Sequence, residues 1–316
     1  MKTDPEPSDT ATRAMPRRVR GQSLPYLARS VICQIRTHPS NRDAPNRAVL
    51  RACSWQVRKR LTRGPIRRRA FGLDLLFPAS CGSLSNLMYF GEYFEWENIN
   101  FIRRYLRPGD AVIDAGANVG MFTYAIAQIT APDGRIHVFE PMAWAADVIS
   151  ANVARNDLAN RVTVNQMAVA DRTGTANFAS DLDVSSHIEL VPGTSASKLS
   201  VEVPTTALDD SVPAGPIALA KIDVEGAETL ALTGFREHLR NGNPPAIIIE
   251  ARKGLAEQMG SSRTGVLGVL HDFGYETFLF NVETSGLVPV PPDSNEDVIA
   301  VHGDSVAMVQ DRIARP

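Results

Sequence analysis

Charged side chains collect at the end of a short apolar run in "LAKIDVEGAE", residues 219–228. If this run is a β-strand, Lys221, Asp223 and Glu225 share one face, because side chains alternate along a strand. A carboxylate at such a strand end can take a proton from a hydroxyl group, or hold a divalent cation that acidifies the hydroxyl. Glu250 ends the next apolar run and could supply a further oxygen ligand, so metal dependence stays open. Asp223 is the stronger catalytic candidate, since Glu225 could instead lie in the first turn of a following helix and be stabilised by its dipole.

A second group of polar residues lies in "AVIDAGANVG", residues 111–120. Asp114 would end a β-branched apolar strand, and Gly116, Asn118 and Gly120 would form the turn before a helix. Glycine lets the backbone turn tightly and approach a ligand, and the first amide groups of a helix have no partner within the helix. The turn is not a dinucleotide fingerprint, because two of the three positions that G-x-G-x-x-G requires hold other residues.

Glu140 stands at the end of the next apolar run, "RIHVFEP". In open parallel sheets, ligands bind beyond the carboxyl ends of the strands. A carboxylate there is suited to holding both hydroxyls of a ribose, and Asp114, directly before the glycine turn, suits a cation better than a pyrophosphate. The two residues together select a nucleoside that carries a positive charge and lacks a diphosphate. S-adenosylmethionine fits that description.

The elements that would position these residues alternate in type from residue 111 onward. Strand-like apolar runs such as "AVIDAGA" and "AIIIEA" are separated by segments with helical spacing. This alternation predicts βαβ units and an α/β fold with a largely parallel sheet covered on both faces. Residues 161–170 are predicted to form the third strand, and residues 227–241 and a segment near 263–273 to form helices. Residues 171–210 break the alternation and are predicted to be an inserted hairpin region.

Six of these segments resemble the motifs of one enzyme family. "PGDAVIDAGANVGMFT", "HVFEP", "ANVARN", "TTALDD", "KIDVEGAE" and "IIIEA" occur in this order and are similar to those of FkbM-type S-adenosylmethionine-dependent methyltransferases. The resemblance covers roughly residues 87–302. It implies a Rossmann-like class I methyltransferase fold, with a seven-stranded, mostly parallel sheet whose last strand is antiparallel. It also implies S-adenosylmethionine as cofactor and O-methylation, commonly of a hydroxyl on a sugar, polyketide or other secondary metabolite or glycan.

The resemblance further implies a cofactor-binding set at the ends of the first three strands. Its members are Asp114, Gly116, Asn118, Gly120, Glu140, Ala168 and Val169. The first two would contact the methionine part, the next two would shape the turn, the glutamate would bind the ribose and the last two would border the adenine. His187, in the inserted region, is a catalytic candidate beside Asp223 and Glu225, because histidine titrates near neutral pH. An exposed loop histidine is the alternative.

Charge is distributed unevenly along the 316 residues. Residues 1–70 carry 17 Lys and Arg against 4 Asp and Glu, which leaves 16 basic and 31 acidic residues in the remainder. We predict two parts, a basic and partly flexible N-terminal extension over residues 1–85 and a methyltransferase domain over residues 86–316. The basic extension could contact an anionic membrane surface or simply be solvated. Nucleic acid is a less favoured partner, because the acidic domain would repel phosphates and the extension has few aromatic side chains for stacking.

Composition and spacing exclude several other classes of protein. The chain is 44% hydrophobic, and it lacks an apolar run near the roughly 18 residues that a membrane-spanning helix needs. Three cysteines without C-x-x-C spacing and a polar N-terminus predict a reducing, cytoplasmic location. A short-chain oxidoreductase is excluded, because no tyrosine is followed by lysine four residues later. A nucleic-acid-associated methyltransferase and a non-catalytic scaffold of the same fold stay open as alternatives, as do the acceptor and the oligomeric state.

Overall fold

The computed structural model describes residues 24–62, 64–79, 81–180, 186–189, 200–251, 262–291 and 294–315. The chain divides into two compact units, one formed by residues 1–66 and 77–100 and the other by residues 67–76 and 101–316. The helices are α1 (Leu24–Thr37), α2 (Pro45–Leu61), α3 (Gly82–Phe90), α4 (Trp96–Tyr105), α5 (Met121–Ile129), α6 (Ala143–Arg155), α7 (Leu208–Ser211), α8 (Glu228–Thr233), α9 (Arg236–Arg240), α10 (Arg263–Asp272) and α11 (Val306–Ala314). Along the described ranges, no helix combines the length and apolarity needed to cross a bilayer.

The first unit contains the helices α1, α2 and α3. Helix α2 buries Ala48, Ala52 and Trp55, whose spacing of four and three residues places them on one helix face. The Trp55 indole donates a hydrogen bond to Ser85 Oγ at 3.1 Å, which ties α2 to α3. Residues 24–37 and 45–61 are helical, and the predicted partial flexibility of residues 1–85 stays a prediction. The boundary between residues 85 and 86 stays a prediction.

The strands lie in three sheets. They are β1 (Ile66–Ala70), β2 (Leu73–Phe77), β3 (Ala111–Ala115), β4 (Arg135–Phe139), β5 (Val162–Asn165), β6 (Ala168–Val169), β7 (Gly174–Ser180), β8 (Ser186–Glu189), β9 (Ser200–Thr206), β10 (Leu219–Ile222), β11 (Ala246–Ile249), β12 (Tyr275–Asn281), β13 (Gly286–Pro289) and β14 (Val298–His302). The strands β1 and β2 pair with each other, and the other two sheets belong to the second unit.

The main sheet has the order β13-β12-β14-β11-β10-β3-β4-β5. The five strands from β11 to β5 are parallel, and β10 and β11 are buried along their whole lengths. This burial agrees with the unbroken apolar sequence of β11, since helices cover both faces of a parallel sheet, whereas β10 carries one buried lysine, Lys221. The last strand, β14, is antiparallel to both neighbours. The predicted α/β fold with an antiparallel last strand is therefore confirmed.

The predicted count of seven strands is one too low. The described residues contain an eighth strand in the main sheet, β13, which pairs antiparallel with β12 at the sheet edge. The sequence hides this strand because "GLVP" is only four residues long and ends in proline. The predicted helix over residues 227–241 is also divided, into α8 and α9, at Gly234 and Phe235.

The inserted region forms a separate four-stranded sheet with the order β6-β9-β7-β8. Strand β7 pairs antiparallel with β8 and with β9, so the predicted hairpin character of residues 171–210 is confirmed for the described strands. The predicted third strand over residues 161–170 is wrong in its second half. Only β5 joins the main sheet, while β6 leaves it and pairs parallel with β9.

Candidate active site

The turn after β3 depends on a glycine that touches the end of β10. Gly116 has a φ of +79°, and its amide donates to the Phe139 carbonyl at 2.9 Å. A Cβ atom on Gly116 would lie 1.8 Å from the carbonyl oxygen of Asp223, far inside the contact distance. Any side chain here would therefore push apart the ends of β3 and β10. The close approach brings the two sequence-predicted groups of polar residues together.

Glu140 fastens this turn to the end of β4. Its Oε2 accepts a hydrogen bond from the amide of Asn118 at 2.8 Å, and its Oε1 accepts one from the amide of Met142 at 2.9 Å. Asn118 has a φ of +53°, a conformation that asparagine tolerates better than most residues. Burial raises the pKa of Glu140 to about 7, although both hydrogen bonds oppose the rise. Each oxygen retains a second acceptor position for a ligand hydroxyl.

Asp114 lies directly below the turn and has no exposed surface. Its Oδ2 accepts from the Thr123 hydroxyl at 2.6 Å, whereas its Oδ1 has no hydrogen-bond partner among the described residues. Burial raises the pKa of Asp114, and the positive charge of Lys221 partly offsets that rise. An unsatisfied buried acceptor costs about 1–3 kcal/mol. A ligand that offers a positive charge above the turn would reduce this cost.

Gly120 begins helix α5 in the left-handed region, with a φ of +84°. A Cβ atom there would lie 2.8 Å from the Tyr124 ring and 3.1 Å from Ile149. The residue therefore has a packing role, because it lets α5 start close to α6. Residues 121–127 are all buried, as their apolar composition requires.

The end of β10 carries the second part of the site. The backbone amide of Asp223 donates to the Ala115 carbonyl at 3.0 Å, which continues the β3–β10 pairing by one residue. Lys221 Nζ donates to Asp223 Oδ2 at 2.7 Å and lies 4.7 Å above the centre of the Phe122 ring. The lysine side chain is 3% exposed and the aspartate side chain 33% exposed. The ion pair thus fixes a carboxylate that solvent can reach.

The predicted helix-start role of Glu225 is wrong. Glu225 has a φ of +52°, and α8 begins three residues later at Glu228. Glu228 is the acidic residue of that first turn, and its Oε1 accepts from the Gly226 amide at 3.0 Å. Burial raises the pKa of Glu228 to about 7. The extra residues of the turn leave Glu225 in the loop, half-exposed beside Asp223.

Three half-exposed carboxylates meet at this edge of the sheet. Asp223, Glu225 and Glu250 each offer an oxygen, and these atoms lie within 4.8 Å of one another. The Glu250 amide donates to the Ile222 carbonyl at 3.0 Å, so its position follows from the pairing of β10 with β11. Oxygen ligands at such spacing could hold a divalent cation, and Lys221 already binds one of them.

The remaining predicted site residues are less closely connected to the turn. Ala168 and Val169 form β6 and pair with Thr205 and Thr206, so they do not end a strand of the main sheet. Ala168 nevertheless belongs to a small apolar cluster. Met142 and Val224 pack against this cluster, and they lie close in sequence to Glu140 and Asp223. The backbone of His187 lies in β8, but its side chain falls outside the described residues. Its catalytic role stays a prediction.

Sequence reasoning missed the partners that hold the carboxylates. Thr123, Met142 and Glu228 all bond to the predicted turns or lie within them, yet the sequence assigned them no role, although Thr123 and Glu228 each end one of the quoted motifs. Thr123 offered a weak signal, because a hydroxyl in the first turn of an apolar helix faces the preceding strand end. The other two contacts use backbone amides, which every residue except proline carries.

The Methyltransferase FkbM domain family matches residues 114–277 of the chain. Two curated proteins are also similar. One is the 31-O-demethyl-FK506 methyltransferase FkbM of Streptomyces tacrolimicus, 44% identical over 69 residues, which are 22% of this chain and 25% of that protein. The other is the methyltransferase sdnD of Sordaria araneosa, 29% identical over 157 residues, which are 40% of this chain and 60% of that protein. The matches therefore span less than two thirds of either relative.

A solved structure shows a more distant likeness. The crystal structure of Methyltransferase FkbM from Methylobacillus flagellatus KT matches with a TM-score of 0.41 and 14% identity. The match covers 85% of this chain and 62% of that one. This likeness is too remote to transfer the role of any single residue.

Proposed function

This chain belongs to the FkbM methyltransferase family, and we propose that it transfers a methyl group from S-adenosylmethionine to a hydroxyl oxygen of a small molecule or glycan. When bound, S-adenosylmethionine supplies an electrophilic methyl group on a sulfonium ion. The chain's own residues must hold that cofactor, orient the acceptor hydroxyl and accept its proton. The acceptor is a sugar or another secondary metabolite in this proposal.

The turn after β3 suits a nucleoside with a positive charge. The buried Oδ1 of Asp114 has no partner among the described residues, so it is available as an acceptor below the turn, and a cationic ligand would favour its ionised form. Glu140 is oriented by two backbone amides, and its free acceptor positions can take the two hydroxyls of a ribose. Asn118 and Gly120 shape the turn, and Ala168 and Val169 are the proposed border of the adenine.

Asp223 is the proposed acceptor-handling residue. In the proposed transfer, the bond from the methyl carbon to the sulfonium sulfur would break as the new carbon–oxygen bond forms, and the Asp223 carboxylate would accept the proton that the acceptor hydroxyl loses. Lys221 fixes that carboxylate through its hydrogen bond to Oδ2, so the acceptor can be held in line with the methyl group. Glu225 and His187 are further candidates for orienting the acceptor.

One observation carries this proposal, the close packing of Gly116 against the backbone of Asp223. Methyl transfer requires an acceptor and a methyl donor within a few ångströms of each other, at about 3–3.5 Å between reacting atoms. The glycine brings the turn proposed for the donor into contact with the strand end proposed for the acceptor. A binding module without chemistry would not need a half-exposed carboxylate at that point of contact.

The choice of a hydroxyl acceptor rests on two supports. The name of the Streptomyces relative, 31-O-demethyl-FK506 methyltransferase, describes an enzyme that methylates an oxygen of its substrate. In this chain, the residue next to the turn is a carboxylate, which can accept the proton that a hydroxyl must lose.

Calorimetry with S-adenosylmethionine tests the cofactor half of the proposal. We expect measurable binding by the intact chain and an affinity about 10- to 100-fold lower for Asp114→Asn, because a charge-assisted interaction contributes about 1.5–3 kcal/mol. Asp272→Asn, at an exposed position of α10, is the matched control and should bind normally. Equal affinities for the two variants would contradict the assignment of Asp114.

Transfer of a radiolabelled methyl group tests the acceptor half. Panels of hydroxylated sugars and other secondary metabolites should contain at least one compound that gains label. We expect the label to survive mild alkali, because a methyl ether is stable where a methyl ester is hydrolysed. An alkali-labile product would contradict hydroxyl methylation, and binding without any transfer would favour the scaffold alternative.

A further inference from the structure

Helix α2 presents an apolar stripe to solvent. Seven large apolar side chains are exposed among the described residues, and three of them lie on this helix. They are Leu50 at 66% exposure, Val57 at 58% and Leu61 at 77%. Their spacing of seven and four residues aligns them on one line along the helix. We call these three side chains the apolar stripe.

The apolar stripe lies opposite the buried face of the same helix. Ala48, Ala52 and Trp55 point inward and pack in the first unit. A helix of a globular protein normally presents polar residues on its outer face. An apolar line along the solvent side of a 17-residue helix, about 25 Å long, is therefore not needed for folding of the unit.

Arginines border the apolar stripe on both sides. At about 100° per residue, Arg47 and Arg58 fall on one side and Arg60 on the other. All three are exposed, and within the described part of the chain they form no ion pair. Helix α2 has no acidic residue to compensate them. We call them the flanking arginines.

We propose that α2 is an interfacial helix that docks the protein on the surface of an anionic phospholipid membrane. The apolar stripe enters the boundary between headgroups and acyl chains, and the flanking arginines bind the lipid phosphates. A helix with an apolar line, cationic borders and no acidic residue has the chemistry that this environment requires. The 17 basic against 4 acidic residues over residues 1–70 strengthen the attraction at longer range.

The apolar stripe decides between a membrane and nucleic acid as the partner. Phosphates of a nucleic acid would satisfy the flanking arginines, but they would leave Leu50, Val57 and Leu61 against a polar backbone. A lipid interface satisfies both groups at once. A second copy of the chain is a weaker partner, because two such helices would bring their uncompensated arginines together.

Vesicle co-sedimentation with the full chain tests the proposal. We expect the protein to bind vesicles of equimolar phosphatidylcholine and phosphatidylglycerol and to remain in solution with vesicles of phosphatidylcholine alone. Binding should weaken in about 1 M salt, where the Debye length falls to about 3 Å. Failure to bind the anionic vesicles at low salt would overturn the proposal.

Two sets of substitutions separate the contribution of the apolar stripe to vesicle binding from that of the flanking arginines. The triple variant Leu50→Gln, Val57→Gln and Leu61→Gln should lower partitioning more than about tenfold, because it removes the inserted apolar surface. The triple variant Arg47→Gln, Arg58→Gln and Arg60→Gln should lower partitioning onto anionic vesicles about a hundredfold, because each arginine contributes about 1 kcal/mol of attraction to the anionic surface. Glutamine keeps helix propensity high at exposed positions, so both variants should melt at the same temperature as the parent.

Matched controls come from other exposed positions. Met308→Gln removes an exposed apolar side chain from α11, and Arg236→Gln with Arg240→Gln removes two exposed arginines from α9. Both controls should bind anionic vesicles as the parent does. Equal loss in the controls would overturn a specific role of α2.

Two further measurements exclude the other partners. A gel shift with duplex RNA that the apolar-stripe variant leaves unchanged, together with no vesicle binding, would assign the arginines to nucleic acid and overturn the proposal. Light scattering that shows a dimer, converted to a monomer by the apolar-stripe variant, would assign the stripe to a second copy and also overturn it.

Discussion

The two strand ends that form the candidate site hold their carboxylates in opposite environments. Below and beside the turn after β3, Asp114 has no exposed surface and Glu140 is 6% exposed. At the end of β10, the side chain of Asp223 is 33% exposed and bonded to a buried lysine. The buried pair is fixed by a hydroxyl and two amides, whereas the exposed residue can meet a molecule that arrives from solvent. The difference separates the turn proposed to bind the cofactor from the edge proposed to receive the acceptor.

The energetic consequences of the two environments differ as well. Burial raises the pKa of Glu140 to about 7, which means that this carboxylate holds its charge at a cost. A ligand that donates hydrogen bonds to this carboxylate relieves that cost on binding. The turn is therefore expected to respond to pH and ligand together, and the edge at Asp223 to respond in the rate of the chemical step.

The largest expected effect comes from the reacting edge. Asp223→Asn keeps the shape of the side chain but removes its ability to accept a proton, so turnover should fall about 10²- to 10⁴-fold. The affinity for S-adenosylmethionine should change by less than about threefold, because the turn is intact. Steady-state kinetics and calorimetry measure the two quantities separately.

Asp304→Asn supplies the control for this substitution, because its carboxylate is 96% exposed and distant in sequence from the site. Normal turnover in Asp223→Asn would remove this residue from the mechanism. An equal loss of turnover and cofactor affinity would erase the proposed difference between the turn and the edge.

The next effect concerns the contact that joins the two regions. Gly116→Ala places a Cβ atom 1.8 Å from the Asp223 carbonyl oxygen and imposes a φ near +79° on alanine. We expect the free energy of unfolding to fall by about 2–5 kcal/mol, from backbone strain and from overpacking. Urea denaturation measures the change.

Gly268→Ala is the matched control for the glycine substitution. Gly268 lies in α10, and a Cβ atom on it would meet no other atom within 4 Å, so the change should stabilise the chain by about 0.4–1 kcal/mol. A Gly116→Ala variant as stable as this control would show that the two strand ends can separate without cost.

The smallest effect is a pH dependence that belongs to the buried turn. Burial raises the pKa of Glu140 to about 7, and its ionised form is the one proposed to accept hydrogen bonds from both ribose hydroxyls. The affinity for S-adenosylmethionine should therefore rise as pH increases through about 7, by up to about tenfold from one pH unit below the pKa. Calorimetry in two buffers of different ionisation enthalpy should detect proton release.

Glu140→Gln should weaken binding and remove this part of the pH dependence. The same raised pKa has a consequence for stability, because the folded chain binds more protons than the unfolded chain between the ordinary value of 4.5 and about 7. The contribution of Glu140 to the free energy of unfolding therefore decreases as pH rises through that window. If the parent and Glu140→Gln showed the same pH dependence of S-adenosylmethionine affinity, a group other than Glu140 would be responsible for it.

The fold was largely predictable because its signals are local. The run over residues 246–249 is apolar without alternation, and parallel strands buried on both faces have this pattern. The hairpin region over residues 171–210 was visible as a break in the alternation. The errors have two causes. Strand β6 leaves the main sheet to pair with β9, which is a tertiary pairing that no local pattern shows. Strand β13 is too short to be recognised.

The candidate site was predictable in its residue types and not in its contacts. Asp114, Glu140 and Asp223 were identified because each would end an apolar strand, where open parallel sheets bind their ligands. Glu225 was misplaced, because two further residues separate it from the helix and its own φ is positive. The contacts of Glu140 are with backbone amides, and no side-chain pattern announces them.

By itself, the sequence determined the α/β fold class, the family and the strand ends at which carboxylates gather, because each depends on periodicity or on short motifs. The tertiary structure alone decided that Gly116 lies against the Asp223 backbone and that the apolar stripe on α2 stays exposed. Such relations depend on which elements become neighbours and which surfaces stay uncovered. Both are set by packing between segments distant in sequence, so they are absent from any local pattern.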